Sequence, residues 1–247
     1  MIEIIDLHKR FNGSKVLDGV NLTIEDNKSY VIIGRSGCGK SVLLKHIIGL
    51  LKPDRGKILI DGVDIVPLSE RALAPIRKKM GVLFQSAALF DSITVFQNVA
   101  FPLLEEGKPD MNDVHRRVAE ALELVGLTGS DEKKPAELSG GMRKRVGMAR
   151  AIIHRPSILF FDEPTTGLDP IMSDSINNLI LRVCQHIHGT SIAVTHDMNS
   201  AYKIADHIAM MRDGKILTMG TPTEIQSSAD TSVQRFIRGI SEGARLD

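Results

Sequence analysis

The sequence predicts an α/β fold with a parallel sheet, an antiparallel β portion near its N-terminal end and an inserted α-helical subdomain. Three observations carry this. Short apolar runs alternate with helical patterns in both end portions of the chain, as parallel strands joined by helices require. The first third is rich in strand patterning and carries a hairpin turn. The middle, roughly residues 86–155, switches to helical spacing.

Each element follows from local pattern. Ile2 to Leu7 is a short isoleucine-rich strand, and Val20, Leu22 and Ile24 alternate with polar residues as a half-buried strand does. Tyr30 to Ile33 is an apolar run that stops at Gly34. From Lys40 to Leu51 the spacing becomes helical, with Val42, Leu43, His46, Ile47 and Leu50 on one face and Pro53 as the stop. Asp61-Gly62 lies between the apolar runs of 57–65 as a hairpin turn, and Gly81 to Phe84 reads as a buried strand. Val114, Val118, Ala121, Leu122 and Val125 repeat at helical spacing before Gly126. Ser139 is placed to cap a helix reaching about His154, ended by Pro156. Ile158 to Phe161 and Thr190 to Thr195 read as strands, flanking a helix from Pro170 to Gln185. A short helix over Met198 to Ala205 precedes a second hairpin, with Asp213-Gly214 between Ile208–Arg212 and Lys215–Met219. Thr221 to Glu224 opens a helical tail in which Val233, Phe236, Ile237 and Ile240 share a face.

Composition narrows the function classes. The chain has 247 residues, 43% hydrophobic and 25% charged, with 31 Lys plus Arg against 30 Asp plus Glu. A chain this long buries roughly 70% or more of its unfolded surface, enough for a core without staples. A net charge of +1 supplies no global field for nucleic acid, so none is expected as a partner. Cys38 and Cys184 are expected to be free thiols of a reducing compartment. No stretch reaches the ~18–20 apolar residues of a membrane span. The start, MIEIIDLHKRF, lacks a basic segment followed by an apolar signal core, so a soluble, cytosolic-type chain is expected.

Gly34-Arg35-Ser36-Gly37-Cys38-Gly39-Lys40-Ser41 fits the phosphate-loop pattern G-x-x-x-x-G-K-[ST], between a buried strand and an amphipathic helix. Glycines let the backbone wrap around phosphates with its amides pointing inward, and the next helix turns its positive end to the same anion. Lys40 would reach the β- and γ-phosphates, and Ser41 would ligate Mg²⁺. The helix amides near Cys38 would lower its thiol pKa. A small tolerated residue in a tight loop is the better explanation of Cys38, and no redox role is assigned to it.

The apolar run Ile158 to Phe161 delivers Asp162 and Glu163 at its C-terminal end, the edge where open α/β sheets bind ligands. Buried strands often end in acids, so this pair says little alone. Beside a phosphate loop it gains meaning: Asp162 would hold Mg²⁺ and Glu163 would orient or deprotonate water.

Further segments occur in a telling order: Phe11 among polar neighbours, Gln85 after a buried strand, Leu138-Ser139-Gly140-Gly141-Met142, Gly167-Leu168-Asp169, and His196 in Val194-Thr195-His196-Asp197. With the two sites above, they make the chain resemble the nucleotide-binding subunits of ATP-binding cassette (ABC) transporters over nearly its whole length. The resemblance implies a P-loop ATPase using ATP and Mg²⁺. Phe11 would stack on adenine, and Gln85 would belong to the Q-loop and join Ser41 and Asp162 on the metal. Glu163 would be the base, His196 the switch histidine, and Asp169 part of the D-loop. Ser139, Gly140 and Gly141 would grip ATP held by a second copy of the chain, so that two chains sandwich two nucleotides. Met142 departs from the family's usual glutamine, and activity is expected to be retained. The implied organisation is a single ABC ATPase domain: a catalytic core of 1–85 and 156–220, a helical subdomain of 86–155, and a C-terminal helical tail of 221–247.

The stretches Phe84 to Ser92, Leu138 to Val146 and Pro164 to Ile171 are similar to one branch, the ATPases of Mla/Mce-type phospholipid transporters that maintain outer-membrane lipid asymmetry. Membership there implies an integral-membrane permease, an Mce-domain lipid-binding protein and a STAS-domain subunit as partners. It also implies a peripheral place on the cytoplasmic side of the inner membrane. Phe84, Leu89, Phe90, Ile93, Val95, Phe96 and Phe101 would line the permease groove or the subdomain core, and the sequence does not sort them. Arg143 to Arg145 fit a solvated helix face. An ATPase of another importer, such as one for amino acids, remains an alternative. A non-transport ABC ATPase is disfavoured by the single cassette, the compact middle and the near-neutral charge.

Overall fold

The computed structural model describes residues 1–105 and 107–240. In chain order the first elements are β1 (Ile2–Phe11), β2 (Ser14–Ile24), β3 (Ser29–Ile33), α1 (Lys40–Ile47), β4 (Arg55–Ile60), β5 (Val63–Asp64), α2 (Glu70–Arg77) and β6 (Met80–Leu83). Then come α3 (Val95–Leu104), α4 (Met111–Leu124), a 3₁₀ turn (Pro135–Glu137), α5 (Gly140–Ile152), β7 (Ile158–Asp162) and α6 (Pro170–Ile187). The last are β8 (Thr190–Thr195), α7 (Met198–Ile204), β9 (His207–Arg212), β10 (Lys215–Gly220), α8 (Pro222–Gln226) and α9 (Thr231–Ile237). They gather into two compact units. One comprises Met1–Leu73 and the segment from Ile192 onward, and the other Ala74–Ser191.

In the first unit β1 lies between β2 and β4, antiparallel to both, with Ile2 opposite Ile24 on one side and Ile60 on the other. Ile2, Ile4 and Leu7 are buried with Val20, Leu22, Ile24, Ile58 and Ile60, the alternation that fixes register. β1 runs on to Phe11, past the expected Leu7. Its polar end pairs with equally polar residues, His8 opposite Asp18 and Arg10 opposite Lys15, so no apolar alternation announces it. A second sheet sets strands side by side in the order β10, β9, β3, β8. β3 is parallel to β9, and β10 is antiparallel to it. Both Asp-Gly turns hold left-handed backbone at both residues (Asp61 φ 51°, Gly62 79°; Asp213 49°, Gly214 73°), matching the twist of a two-residue hairpin. α1 ends at Ile47, short of the expected Leu51, because Gly49 turns left-handed at φ 74° and Leu50 points to solvent.

In the second unit β6 runs parallel to β7, Met80 opposite Ile158 through Leu83 opposite Phe161. Phe160 and Phe161 are wholly buried on β7. α3, α4 and α5 pack together, and α5 lies on β6. α3 starts with a capping box between Thr94 and Gln97, and α4 buries Val114, Val118, Ala121 and Leu122 along the expected stripe. α2, which the sequence does not announce, buries only Leu73 and contains Pro75, a residue that ordinarily interrupts a helix. The expected α/β architecture with antiparallel, parallel and helical parts is what the chain adopts. The helical tail forms as two short pieces, α8 and α9, with Val233 buried, while 241–247 lie outside the described residues.

Candidate functional site

The phosphate loop in the first unit is built by backbone that excludes side chains. A Cβ at Gly34 (φ 155°) would sit 2.4 Å from the Met211 carbonyl oxygen. At Gly39 (φ 108°), one would sit 2.8 Å from the Val16 oxygen. Neither carbonyl can retreat, so these glycines keep the loop wound tightly enough to turn its amides toward an anion. Gly39 leads directly into α1 and makes no side-chain cap hydrogen bond, so the positive end of the helix opens on the loop. Lys40 is buried (6% exposed), and its ammonium donates to the Gly34 and Arg35 carbonyl oxygens at 2.8 and 3.2 Å. The loop therefore holds its own cation. Arg35, Ser36 and Gly37 are exposed and Ser41 half-buried at the start of α1. Cys38 corrects the expectation of a lowered pKa: burial pushes the thiol up, outweighing the Lys40 ammonium and the nearby amides.

Also in this unit, Phe11 exposes 41% of its surface at the tip of the β1–β2 hairpin, with the Lys9 ammonium 5.4 Å from its ring centroid. An exposed ring of this kind offers a face to a flat partner. His196 is exposed just past the end of β8. Asp197 anchors that turn by capping α7, accepting from the Asn199 and Ser200 amides and from the Ser200 hydroxyl at 2.6 Å.

In the second unit β7 ends at Asp162, with Glu163 just beyond it, and the two are exposed by only 7% and 9%. Glu163 takes left-handed backbone (φ 48°), a conformation that costs a non-glycine residue about 1 kcal/mol or more and recurs at functional positions. The Thr166 hydroxyl donates to its Oε2 at 3.0 Å, fixing the carboxylate's direction. Gln85 is exposed just after β6. Ser139 caps α5 by accepting from the Met142 amide at 3.3 Å, which leaves its hydroxyl hydrogen for an anion. The two glycines after it differ. A Cβ on Gly140 would meet nothing closer than 3.6 Å, whereas one on Gly141 would lie 2.2 Å from the Met172 Cε. Asp169 caps α6, accepting from the Met172 amide at 2.9 Å.

A domain model described as ABC transporter matches residues 17–166, more than half of the chain. The chain belongs to the ABC transporter family. It is 43% identical to the intermembrane phospholipid transport system ATP-binding protein MlaF of Haemophilus influenzae, over 98% of this chain and 92% of that one. It is 42% identical to a probable ribonucleotide transport ATP-binding protein, mkl, of Mycobacterium tuberculosis, over 96% of this chain. The chain spans only 66% of that longer relative. Among solved structures it superposes with TM-score 0.82 and 31% identity on a dimeric ATP-binding cassette in a post-hydrolysis state with ADP and Pi, over 90% of this chain and 99% of that one. The ABC fold read from the sequence is therefore the one present.

For this ABC cassette, side-chain contacts add what motif order does not give. Lys144, on α5, is buried at 6% exposure. Its ammonium donates to the main-chain oxygens of Gln85 and, at 3.2 Å, Glu163. Arg145 reaches the Val125 oxygen and, at 2.8 Å, the Ser175 hydroxyl. Arg143 is exposed and donates to the Leu138 oxygen at 2.6 Å. The solvated-face expectation thus fails for Lys144 and Arg145, whose carbonyl and hydroxyl partners compensate burial. The aromatic run also divides. Val95 is fully buried and Phe84, Leu89, Ile93 and Phe96 half-buried. Phe90 is 45% exposed and leans on Phe101 at 4.8 Å, while Phe96 stacks on His115 at 4.5 Å. Asn98, absent from the motif reading, is wholly buried and organises this segment. Its side chain accepts from the Phe90 amide at 2.8 Å and donates to the Phe90, Ile93 and Thr94 oxygens at 3.1, 3.3 and 3.0 Å. Only an asparagine inside an apolar helix face could have signalled it.

Proposed function

We propose that this chain is the ATP-hydrolysing subunit that powers an Mla/Mce-type phospholipid transporter. The observation that carries the reading is the MlaF likeness, 43% identity over nearly the whole of both chains, combined with the intact phosphate loop and its buried Lys40. The loop amides of 34–41 and the Lys40 ammonium bind the triphosphate, and Phe11 stacks on the adenine. Glycine cradle, lysine and hydroxyl suit a nucleotide with a hard divalent cation. Among the described residues no cluster of three His, Cys, Asp or Glu could hold a metal by itself. Ser41, Asp162 and Gln85 would hold the ion together with phosphate oxygens of the nucleotide. When bound, Mg²⁺ neutralises charge developing on the γ-phosphate.

Glu163 takes the proton of the attacking water while Thr166 holds its carboxylate in place, and His196 donates to a γ-phosphate oxygen. Ser139, Gly140 and Gly141 bind the nucleotide of a second copy, with Asp169 at the same contact. The core of 1–85 and 156–220, the helical subdomain of 86–155 and the tail of 221–247 divide this work. Among the described residues no helix is long and apolar enough to cross a membrane, so substrate passage falls to a separate permease. The chain is held peripherally at the cytoplasmic side of the inner membrane by that permease, with an Mce-domain lipid-binding protein and a STAS-domain subunit as further partners.

The name of the mycobacterial relative favours ribonucleotides as a second reading of the cargo. Copurification from native membranes, with identification of bound proteins and lipids, separates the two. The lipid reading expects a permease, an Mce-domain protein and bound phospholipid, with ATP turnover by the complex. Ribonucleotide-stimulated turnover without bound lipid would overturn it.

A further inference from the structure

We propose that Lys144 is a positioning residue that ties the loop of Gln85 to the backbone of Glu163, so that the two stay in register during ATP turnover. The inference rests on the roles proposed above for Gln85 and Glu163, and deepens them. Four main-chain oxygens define the tie. The Lys144 ammonium bridges the oxygens of Gln85 and Glu163, residues far apart in sequence. Six residues further along α5, the Arg150 guanidinium donates to the Ala87 and Ala88 oxygens at 2.7 and 2.8 Å. Those alanines take left-handed backbone (φ 61° and 46°), which β-carbon sterics disfavour and which persists only when surroundings impose it. Gly140, at the start of the same helix, follows the signature serine.

One rigid helix therefore presents the signature at its tip and grips both the Gln85 loop and the Glu163 strand end along its side. Glu163 also has left-handed backbone, so the bond to its own carbonyl restrains the peptide that sets where its carboxylate points. A buried ammonium is costly, and burial lowers the Lys144 pKa even though Asp162 and Glu163 act to raise it. An apolar residue of similar length would fill the space more cheaply. What the lysine adds is the two-carbonyl bridge. Its side chain touches no reacting atom in this arrangement, so its effect passes through Gln85 and Glu163.

The test compares full-length parent, Lys144→Met and Lys144→Arg. Hydrogen exchange at the amides of 85–90 and of Glu163, Thr165 and Thr166 is followed without nucleotide, alongside kcat and KM for ATP and thermal melting. Lys144→Met keeps shape and loses both donors. It should speed exchange in both segments at least tenfold and lower kcat at least tenfold, with KM for ATP within threefold. Lys144→Arg retains donors and should return exchange and kcat to within threefold of the parent. Exchange and kcat within twofold of the parent in Lys144→Met would overturn the proposal. So would an Arg variant that melts normally yet stays as impaired as the Met variant. Should Lys144→Met lose its cooperative melt, Lys144→Gln carries the same measurements under the same limits. A parent without ATPase activity in complex with its permease would refute the function proposed above, and the exchange comparison would then decide the tie alone.

Discussion

Replacing Asn98 by alanine removes one side chain that makes four hydrogen bonds, all to the segment of 90–94. Each such bond is worth about 1 kcal/mol net, and a buried amide or carbonyl left without a partner costs about 1–3 kcal/mol. Phe90 would lose a partner for both its amide and its carbonyl. The Thr94 oxygen keeps the Asn98 backbone amide at 2.9 Å, so its loss is partial. Water can reach some of these groups, because Phe90 is 45% exposed and Ile93 half-buried. The sum is about 3–5 kcal/mol. At ~2–4 °C per kcal/mol for a chain of this size, the melting temperature should fall by about 6–20 °C. Circular dichroism melts of the parent, Asn98→Ala and Asn98→Asp provide the assay. Aspartate keeps the acceptor for the Phe90 amide and loses three donated bonds, so it should also destabilise. A drop below about 3 °C in the alanine variant would refute the reasoning, since it would mean that the segment of 90–94 is held by its apolar contacts rather than by Asn98.

Two further predictions concern chemistry and protonation. Glu163→Gln should keep ATP binding while turnover falls by about 10²- to 10⁴-fold, the usual worth of a positioned base; radiolabelled phosphate release with parallel nucleotide binding checks it, and near-normal turnover would remove Glu163 from the role. His46 is completely buried with Nδ1 2.7 Å from the Val42 oxygen, and burial lowers its pKa below the ordinary 6.5. Between its folded value and 6.5 the unfolded chain binds more protons, so stability is present above pH 6.5 and is lost as pH falls through that window, by at most about 1.4 kcal/mol per pH unit. Urea midpoints from pH 8 to pH 5 should show this loss in the parent and a smaller one in His46→Gln. Parallel curves would exclude His46 as the cause.

What the sequence determined by itself was local or bound to motif order. The two Asp-Gly hairpins, the Ser139 cap and the acids closing β7 each depend on a few neighbouring residues, and all stand where pattern put them. The glycine spacing of 34–39 was legible for the same reason, because a phosphate loop is one continuous segment. Boundaries slipped where that locality failed: β1 continues through polar residues because β2 is there to pair with it, and α1 stops early because the backbone turns at Gly49.

Only the tertiary structure decided the long-range placements. Lys144 meets Gln85 across 59 residues and Arg150 meets Ala87 across 63, so no periodicity within α5 distinguishes them from solvated cations. The aromatic run separated into buried Val95, half-buried Phe96 and exposed Phe90 through neighbours supplied by other helices. Cys38 lies beside helix amides in sequence, yet folding around the loop buries it enough to move its pKa the other way. The physical division is consistent. Turn and cap energies are set within about four residues and survive in any context. Desolvation and buried hydrogen bonds depend on what the fold brings from elsewhere in the chain, and they govern which charged side chains become part of the interior.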